Sequence, residues 1–281
     1  MQLTAVIVFY QTELQTAATL QSLARSSGPA TQKLLAQTHF VLYDNSPQPH
    51  ITKGLDWLPD FEYYHDSRNL GIATAYNFGL KEARKNKSQF LWLLDQDTSL
   101  TADFISKLWQ RVIQSSTEQA IVPQIKAAGV LMSPRDIRSP FKVVPVAAGQ
   151  QRHVLAINSA ALIQVDFLNQ LGGFSLDFQL DFLDNWLFYQ LEQQQGSVQV
   201  LPSVLQHELS VMNTQQIKMP RYRSIITAEW RYYHNYQKIS EWHYRGHLVL
   251  RFASQLLLKR DLTKASYLLR FILGYKPKSS S

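Results

Sequence analysis

Four short apolar runs in the first hundred residues, each closed by polar turn residues, constrain this chain more than any other feature. Leu3–Phe9 is rich in β-branched residues over a strand's length, as expected of a strand covered on both faces. No basic run precedes it, and residues 4–10 are too few for a signal-peptide core, which favours the strand reading. Residues 16–23 read as a helix stopped by Ser26, Ser27, Gly28 and Pro29. Residues 39–43 form the second strand, ending in the turn chemistry of Asp44, Asn45, Ser46 and Pro47. Phe61–His65 is a third, residues 73–85 a helix and residues 89–94 a further buried strand. This alternation implies an α/β domain with a mainly parallel central sheet flanked by helices. Ligands of such sheets bind beyond the carboxyl ends of the strands.

Polar residues gather at those ends: Asp44, Asn45 and Ser46 after the second strand, Asp66, Arg68 and Asn69 after the third, Asp95, Gln96 and Asp97 after the fourth. Farther on, residues 156–165 (AINSAALIQV) read as a strand that starts on small residues, followed by a helix and a Gly172, Gly173 turn. Residues 182–194 read as a helix opened by Asp181 and Asp184, and residues 198–201 as a strand leading to His207. From Met219 the pattern is wholly helical. The expected organisation is an α/β domain over 1–215, with halves of about 1–100 and 101–215, and an appended helical region over 216–281.

Composition removes whole classes of function. The 45% hydrophobic content supports a sizeable core in 281 residues. The absence of cysteine excludes disulfide frameworks, zinc ribbons, iron-sulfur clusters and thiol nucleophiles, and is compatible with a reducing compartment. No uncharged apolar segment reaches the roughly 18 to 20 residues that cross a bilayer. P-loop, nucleophile-elbow and dinucleotide glycine motifs are missing. Of the +7 net charge, +6 lies in residues 241–281, which hold eight Lys/Arg against two Asp/Glu. Two apolar stripes with helical spacing run through that segment, Val249, Phe252, Ala253 and Leu256, then Ala265, Leu268, Leu269 and Ile272. Arg245, Arg251, Lys259 and Arg260 flank the first; Lys264, Arg270, Lys276 and Lys278 flank the second. Such stripes suit a helix lying on an anionic membrane surface, or packing on the protein or a second copy. No nucleic-acid partner is expected, because that reading leaves the strand-end carboxylates unused.

The segment LLDQDTSL carries the chemistry. Asp95 and Asp97 fall on one side of an extended chain, where two carboxylates hold one hard divalent cation and leave positions open to diphosphate oxygens and water. The same spacing fits a solvated acidic turn.

In order along the chain, VIVFY, VLYDNS, DSRNLGIATAYNFGL and FLWLLDQDT resemble the nucleotide-sugar half of family 2 glycosyltransferases of the GT-A fold, with the nearest resemblance to bacterial rhamnosyltransferase-like members. The block INSAALIQVDFLNQLGGFSLDFQLDFLDNWLFYQL is similar to the acceptor half, and the resemblance covers about residues 3–210. It implies that Asp44, with Asn45 and Ser46, meets the base. Asn69, Gly71, Ala73 and Asn77 match the stretch where the backbone approaches the nucleotide, while Asn69 also stands where it would cap a helix. Arg68 would meet a phosphate or stay on the surface. Asp95 and Gln96 fall on the ribose and sugar side, Asp97 on the metal, and His207 where some members supply a further ligand. Asp184 matches the general base; a second carboxylate found in many relatives is Asn185 here, which leaves Asp181 as the competing base.

The implied function is a metal-dependent (Mn²⁺ or Mg²⁺), inverting transfer of a sugar to a glycan or lipid-linked acceptor in polysaccharide biosynthesis. L-rhamnose from dTDP-rhamnose, or a UDP-sugar, is the expected donor. The expected location is cytoplasmic, peripheral on the inner face of the cell membrane, with a homodimer as the other use of the C-terminal stripes. A non-catalytic scaffold binding nucleotide-sugar or glycolipid is the reading from a different class.

Overall fold

The structure is a computed structural model and describes residues 3–114, 117–206, 217–275 and 277. The chain divides into two compact units, residues 1–208 and 209–281.

In the first unit, β1 (Leu3–Phe9) is buried along its whole length, as a run without polar alternation requires. Helices α1 (Ala18–Arg25) and α2 (Pro29–Ala36) then lead into β2 (Thr38–Asp44). The expected helix over 16–23 thus begins later, after a 3₁₀ turn at Leu14–Thr16, and the expected stop at Pro29 starts a second helix. Proline at a first helical position has no amide to lose there, so the residue read as a terminator is also an initiator. β3 (Phe61–His65), α3 (Ile72–Lys85), β4 (Phe90–Asp95) and α4 (Ala102–Ile113) follow within a residue or so of expectation wherever it specified an element.

The second half supplies β5 (Ala120–Ala127), β6 (Val130–Ser133), β7 (Arg135–Asp136), β8 (Gly149–Gln151), β9 (Val154–Leu155), β10 (Leu162–Gln164), α5 (Val165–Leu171), α6 (Leu183–Gln193) and β11 (Val198–Gln206). The main sheet runs β3-β2-β1-β4-β10-β5-β11-β8, with β6 paired to β5; β7 and β9 form a separate ribbon. β3, β2, β1 and β4 are mutually parallel, as are β5 and β11, whereas β10 is antiparallel to both its neighbours. The strand expected over 156–165 is therefore mostly loop: only Leu162–Gln164 pair, and residues 156–161 cross the rim before them.

The sheet is a mostly parallel one flanked by helices, and its order reverses between β1 and β4. That reversal opens the crevice at which α/β sheets bind ligands. Close packing beside it depends on Gly79 of α3, where a Cβ would lie 2.8 Å from the Cβ of Val6. One face of the sheet buries Phe9, Phe40, Phe90, Trp92 and Phe104.

The second unit contains α7 (Met219–Asn235), α8 (Glu241–Ala253), a π-helical turn at Ser254–Leu258 and α9 (Leu262–Ile272). Among the described residues, no helix is long and apolar enough to cross a membrane. Ala265 and Leu268 of the second predicted stripe are buried, which makes part of that stripe a packing surface.

Candidate active site

The loop after β4 is fixed from two sides. The Gln96 side chain accepts from the Tyr10 amide at 2.8 Å and donates to the Tyr10 carbonyl at 3.3 Å, tying the loop to the end of β1. The Thr19 hydroxyl on α1 donates to the Asp95 carbonyl and lies 2.9 Å from the Thr98 carbonyl, while accepting from the Thr98 amide at 3.1 Å. Asp95 is partly exposed and accepts from the hydroxyl of buried Ser159; Asp97, two residues on, is exposed.

Beside it, Asp44, Asn45 and Ser46 are all buried. One Asp44 oxygen accepts from the Ser46 amide at 2.9 Å; the other accepts from the Tyr63 hydroxyl at 2.6 Å and lies 2.7 Å from His50 Nδ1. Burial pushes the Asp44 carboxyl up, but the bonds from Ser46, Tyr63 and His50 outweigh it and hold the pKa below the usual carboxylate value. Tyr63 is pushed up to about 12 by burial and by Asp44. Asp44 therefore organises the loop through its own carboxylate, a tie to Tyr63 and His50 that sequence reading did not anticipate. The Asn45 amide bonds the Phe9 carbonyl at 2.8 Å, and its side-chain oxygen is buried with no partner among the described residues.

After β3, Arg68 grips Asp66 with two bonds, 2.7 and 2.8 Å, and the Tyr43 hydroxyl adds a third at 3.0 Å. The Arg68 bonds, opposed by burial, hold Asp66 at about 2. Arg68 is itself mostly exposed. Asn69 takes a left-handed φ of 48°, and Gly71, not Asn69, stands at the N-cap of α3. With φ 89° and a Cβ position 2.3 Å from the Gln179 carbonyl oxygen, position 71 admits only glycine. Ala73 is buried and its amide bonds the same carbonyl at 3.3 Å. The Asn77 amide is engaged at 2.8 and 2.9 Å with the backbone of Phe174, beside the Gly172, Gly173 turn. Asn77 thereby fastens the two halves of the unit.

Asp184 is the second residue of α6, with Phe182, at φ 66°, in the N-cap position; neither Asp181 nor Asp184 caps the helix. Asp184 Oδ1 accepts from the Asn185 amide at 2.8 Å. Burial is the main cause that raises its pKa to about 6, the Asp181 charge adds to it, and the charge of Arg135 on β7 opposes it. Asp95, Asp184 and Asp97 all act on the hydroxyl of Tyr76, a fully buried residue of α3. Three carboxylates from two separate segments, the loop after β4 and the start of α6, thus share one neighbourhood. Arg135 and Tyr76 carry no motif signal; only the fold brings them there. His207, Lys276 and Lys278 lie outside the described residues.

The donor set fits a hard divalent cation. Among the described residues, no group of three or more His, Asp or Glu holds an ion unaided. A Mg²⁺ or Mn²⁺ that keeps waters and takes diphosphate oxygens needs only one or two carboxylates, which the exposed Asp97 and partly exposed Asp95 offer.

A family model described as glycosyl transferase family 2 matches residues 4–171, more than half of the chain. Among solved structures, the chain is similar to S. aureus TarS 1–349, at 12% identity and a TM-score of 0.56 over 98% of this chain and 79% of that one. The TarS 1–349 complex with UDP-GlcNAc gives 12% and 0.56 over 99% and 82%. GalNAc-T7, solved with UDP, GalNAc and Mn²⁺, gives 18% and 0.61 over 98% of this chain and 55% of that one. These likenesses establish the fold, which is of the GT-A kind. No curated protein sequence matches the chain.

Proposed function

The chain belongs to glycosyl transferase family 2, and from that premise we propose that it moves a sugar from a nucleoside-diphosphate donor to a glycan or lipid-linked glycan with inversion at the anomeric carbon. The observation that carries the reading is the meeting of Asp95, Asp97 and Asp184 around Tyr76 at the sheet's reversal point. In a single displacement the acceptor oxygen bonds the anomeric carbon, the bond from that carbon to the diphosphate oxygen breaks, and the acceptor proton passes to Asp184. A base with a pKa of about 6 is ionised at neutral pH and strong enough to take the proton. Asp181 is the alternative base. Asp97, with His207, would hold Mn²⁺ or Mg²⁺, which would supply Lewis-acid neutralisation of the departing diphosphate. Asn45, Ser46, Arg68, Asn69, Gly71 and Asp95 would line the nucleotide side, with Asp44 fixing the loop that carries Asn45 and Ser46.

The UDP, UDP-GlcNAc and Mn²⁺ of the solved relatives support a nucleotide-sugar donor, and the resemblance to rhamnosyltransferases favours dTDP-rhamnose within that class. Thermal shift across a nucleotide-sugar panel with Mn²⁺, followed by product assay, is the direct test. A ligand bound at 100 times its Kd stabilises the native state by about 2.7 kcal/mol. Stabilisation by one donor with transfer or hydrolysis is the expected result; stabilisation without turnover in any acceptor mixture would leave the scaffold reading instead.

The C-terminal unit is proposed to rest on an anionic membrane that presents the acceptor. Leu257 and Leu258 of the π-helical turn are 70% and 80% exposed, and Leu250, Leu262 and Leu273 are similarly bare. The cations are fewer than the charge count implies. Arg251 bonds Glu229 at 2.7 Å and Lys264 is buried against Asp261 at 3.0 Å, whereas Arg260 and Arg270 are exposed. Leucine insertion then contributes more than charge attraction. The full chain is expected to co-sediment with phosphatidylglycerol-containing vesicles, and the Leu257→Asp, Leu258→Asp double variant to stay in the supernatant. Equal pelleting of both would remove the proposal and favour a dimer contact.

A further inference from the structure

Asp95 is gripped by protein groups that no motif marks. Its Oδ2 accepts from the Ser159 hydroxyl, and Ser159 is 1% exposed in the loop before β10. That loop is held rigidly. The Ala160 amide bonds the Leu93 carbonyl at 2.9 Å, the Leu93 amide bonds the Ala161 carbonyl at 2.8 Å, and Trp92 Nε1 donates to the Ala160 carbonyl at 3.3 Å. Ala160 takes a left-handed φ of 65°, which an L-residue adopts only under such constraint. The Ser159 hydroxyl is thus fixed relative to β4, the strand that Asp95 ends.

From α3 comes the second group. The Tyr76 ring is fully buried and packs on Phe174, with centroids 5.3 Å apart, so the phenol has little freedom. Its hydroxyl is shielded from solvent and completes no hydrogen bond of ordinary geometry, although the Asp95 carboxylate is close enough to act on it strongly. A buried hydroxyl left without a partner costs about 1 to 3 kcal/mol, which favours keeping the Asp95 carboxylate turned toward it.

We propose that Tyr76 and Ser159 are positioning residues that clamp the Asp95 carboxylate from α3 and from the loop before β10, directing its remaining lone pairs toward the bound nucleotide-sugar. The clamp rests on the reading of Asp95 as a donor-side carboxylate and deepens it. An unclamped carboxylate on a strand end samples several rotamers, and holding it in one lowers the entropy lost when the ligand binds. Neither hydroxyl touches the ligand; both act through Asp95.

A double-mutant cycle on the full chain tests this, with calorimetric Kd values for UDP and dTDP in the presence of Mn²⁺. Tyr76→Phe removes one oxygen and Ser159→Ala one hydroxyl, and each is expected to raise the nucleotide Kd about tenfold with little change in the urea midpoint. In an Asp95→Ala background the same substitutions are expected to change Kd less than twofold. A purely structural role would lower the midpoint and leave Kd unmoved, or act equally in both backgrounds, and either result overturns the clamp. If Tyr76→Phe does not fold, the Ser159 and Asp95 arm decides alone. A wild-type chain that binds neither nucleotide overturns the donor-site reading and the clamp with it. Wild-type binding with unaltered Kd in both variants overturns the clamp only.

Discussion

Replacing Asp184 with Asn is expected to lower turnover by about 10² or more while leaving donor affinity intact, because the amide keeps the shape and cannot accept the acceptor's proton. The Asp184 Oδ1 bond from the Asn185 amide survives in the variant, so the helix start is preserved. The same burial that raises this carboxyl to about 6 sets two further expectations. First, kcat/KM of the native chain should fall as pH drops through about 6, since only the ionised form is a base. Second, the sign of the stability effect is fixed by linkage. A folded-state pKa above the unfolded value of about 3.9 means that the folded chain binds more protons between those values, so stability falls as pH rises from about 4 to about 6 and stays lower above it. Asparagine lacks that penalty. The variant should be more stable than the native chain at pH 7.5 by about 3 kcal/mol, with the gain vanishing below pH 4. Urea titrations at the two pH values and initial-rate profiles check both. An Asp181→Asn chain with the greater loss of turnover would move the base to Asp181.

Gain of stability with loss of turnover is the mark of a group retained for chemistry. It separates Asp184 from Asp66 and Asp44, whose low pKa values arise from partners already in place. Protonating those two costs bonds, and their contribution to stability is lost as pH falls through their depressed values.

How much of this was legible in the sequence follows from the range of each interaction. β1 was readable to the residue because a buried parallel strand is a local run of apolar residues, and its length is its own signal, whereas β3, also read to the residue, is a partly exposed edge strand rich in aromatic residues. The loop at residues 156–161 was not, since small apolar residues fit a strand as well as a left-handed turn, and only the bonds to Leu93 and Trp92 decide between them. The strand-end carboxylates were visible as a pattern. What each one does was not: the Asp44 tie to Tyr63 and the Tyr43 bond to Asp66 depend on neighbours set by strand register, and the His50 contact on how the loop after β2 folds back. Arg135 and Tyr76 were invisible for the same reason, since each is an ordinary residue until the fold places it near Asp184.

Asp97→Ala is expected to abolish transfer, by about 10³ or more, and to remove the Mn²⁺ dependence of nucleotide binding. The loop that carries Asp97 is held by Gln96 at the Tyr10 backbone and by Thr19 at Asp95 and Thr98, all of which the substitution leaves in place. Asp97 is exposed, so truncating it opens no cavity, and the unliganded chain should melt within a degree or so of the native one. Asp95 is a poor substitute for it, because one of its oxygens is occupied by Ser159. An ion coordinated mainly by waters and diphosphate oxygens relies on its few protein carboxylates, and losing the more exposed one detaches it from the chain. Calorimetry of UDP and dTDP with and without Mn²⁺ reads the result. The native chain should bind far more tightly with the ion, while the variant should bind equally weakly in both conditions. A variant that keeps both the Mn²⁺ effect and native turnover would show that the ion is held elsewhere, and the acidic loop after β4 would then be a solvated turn.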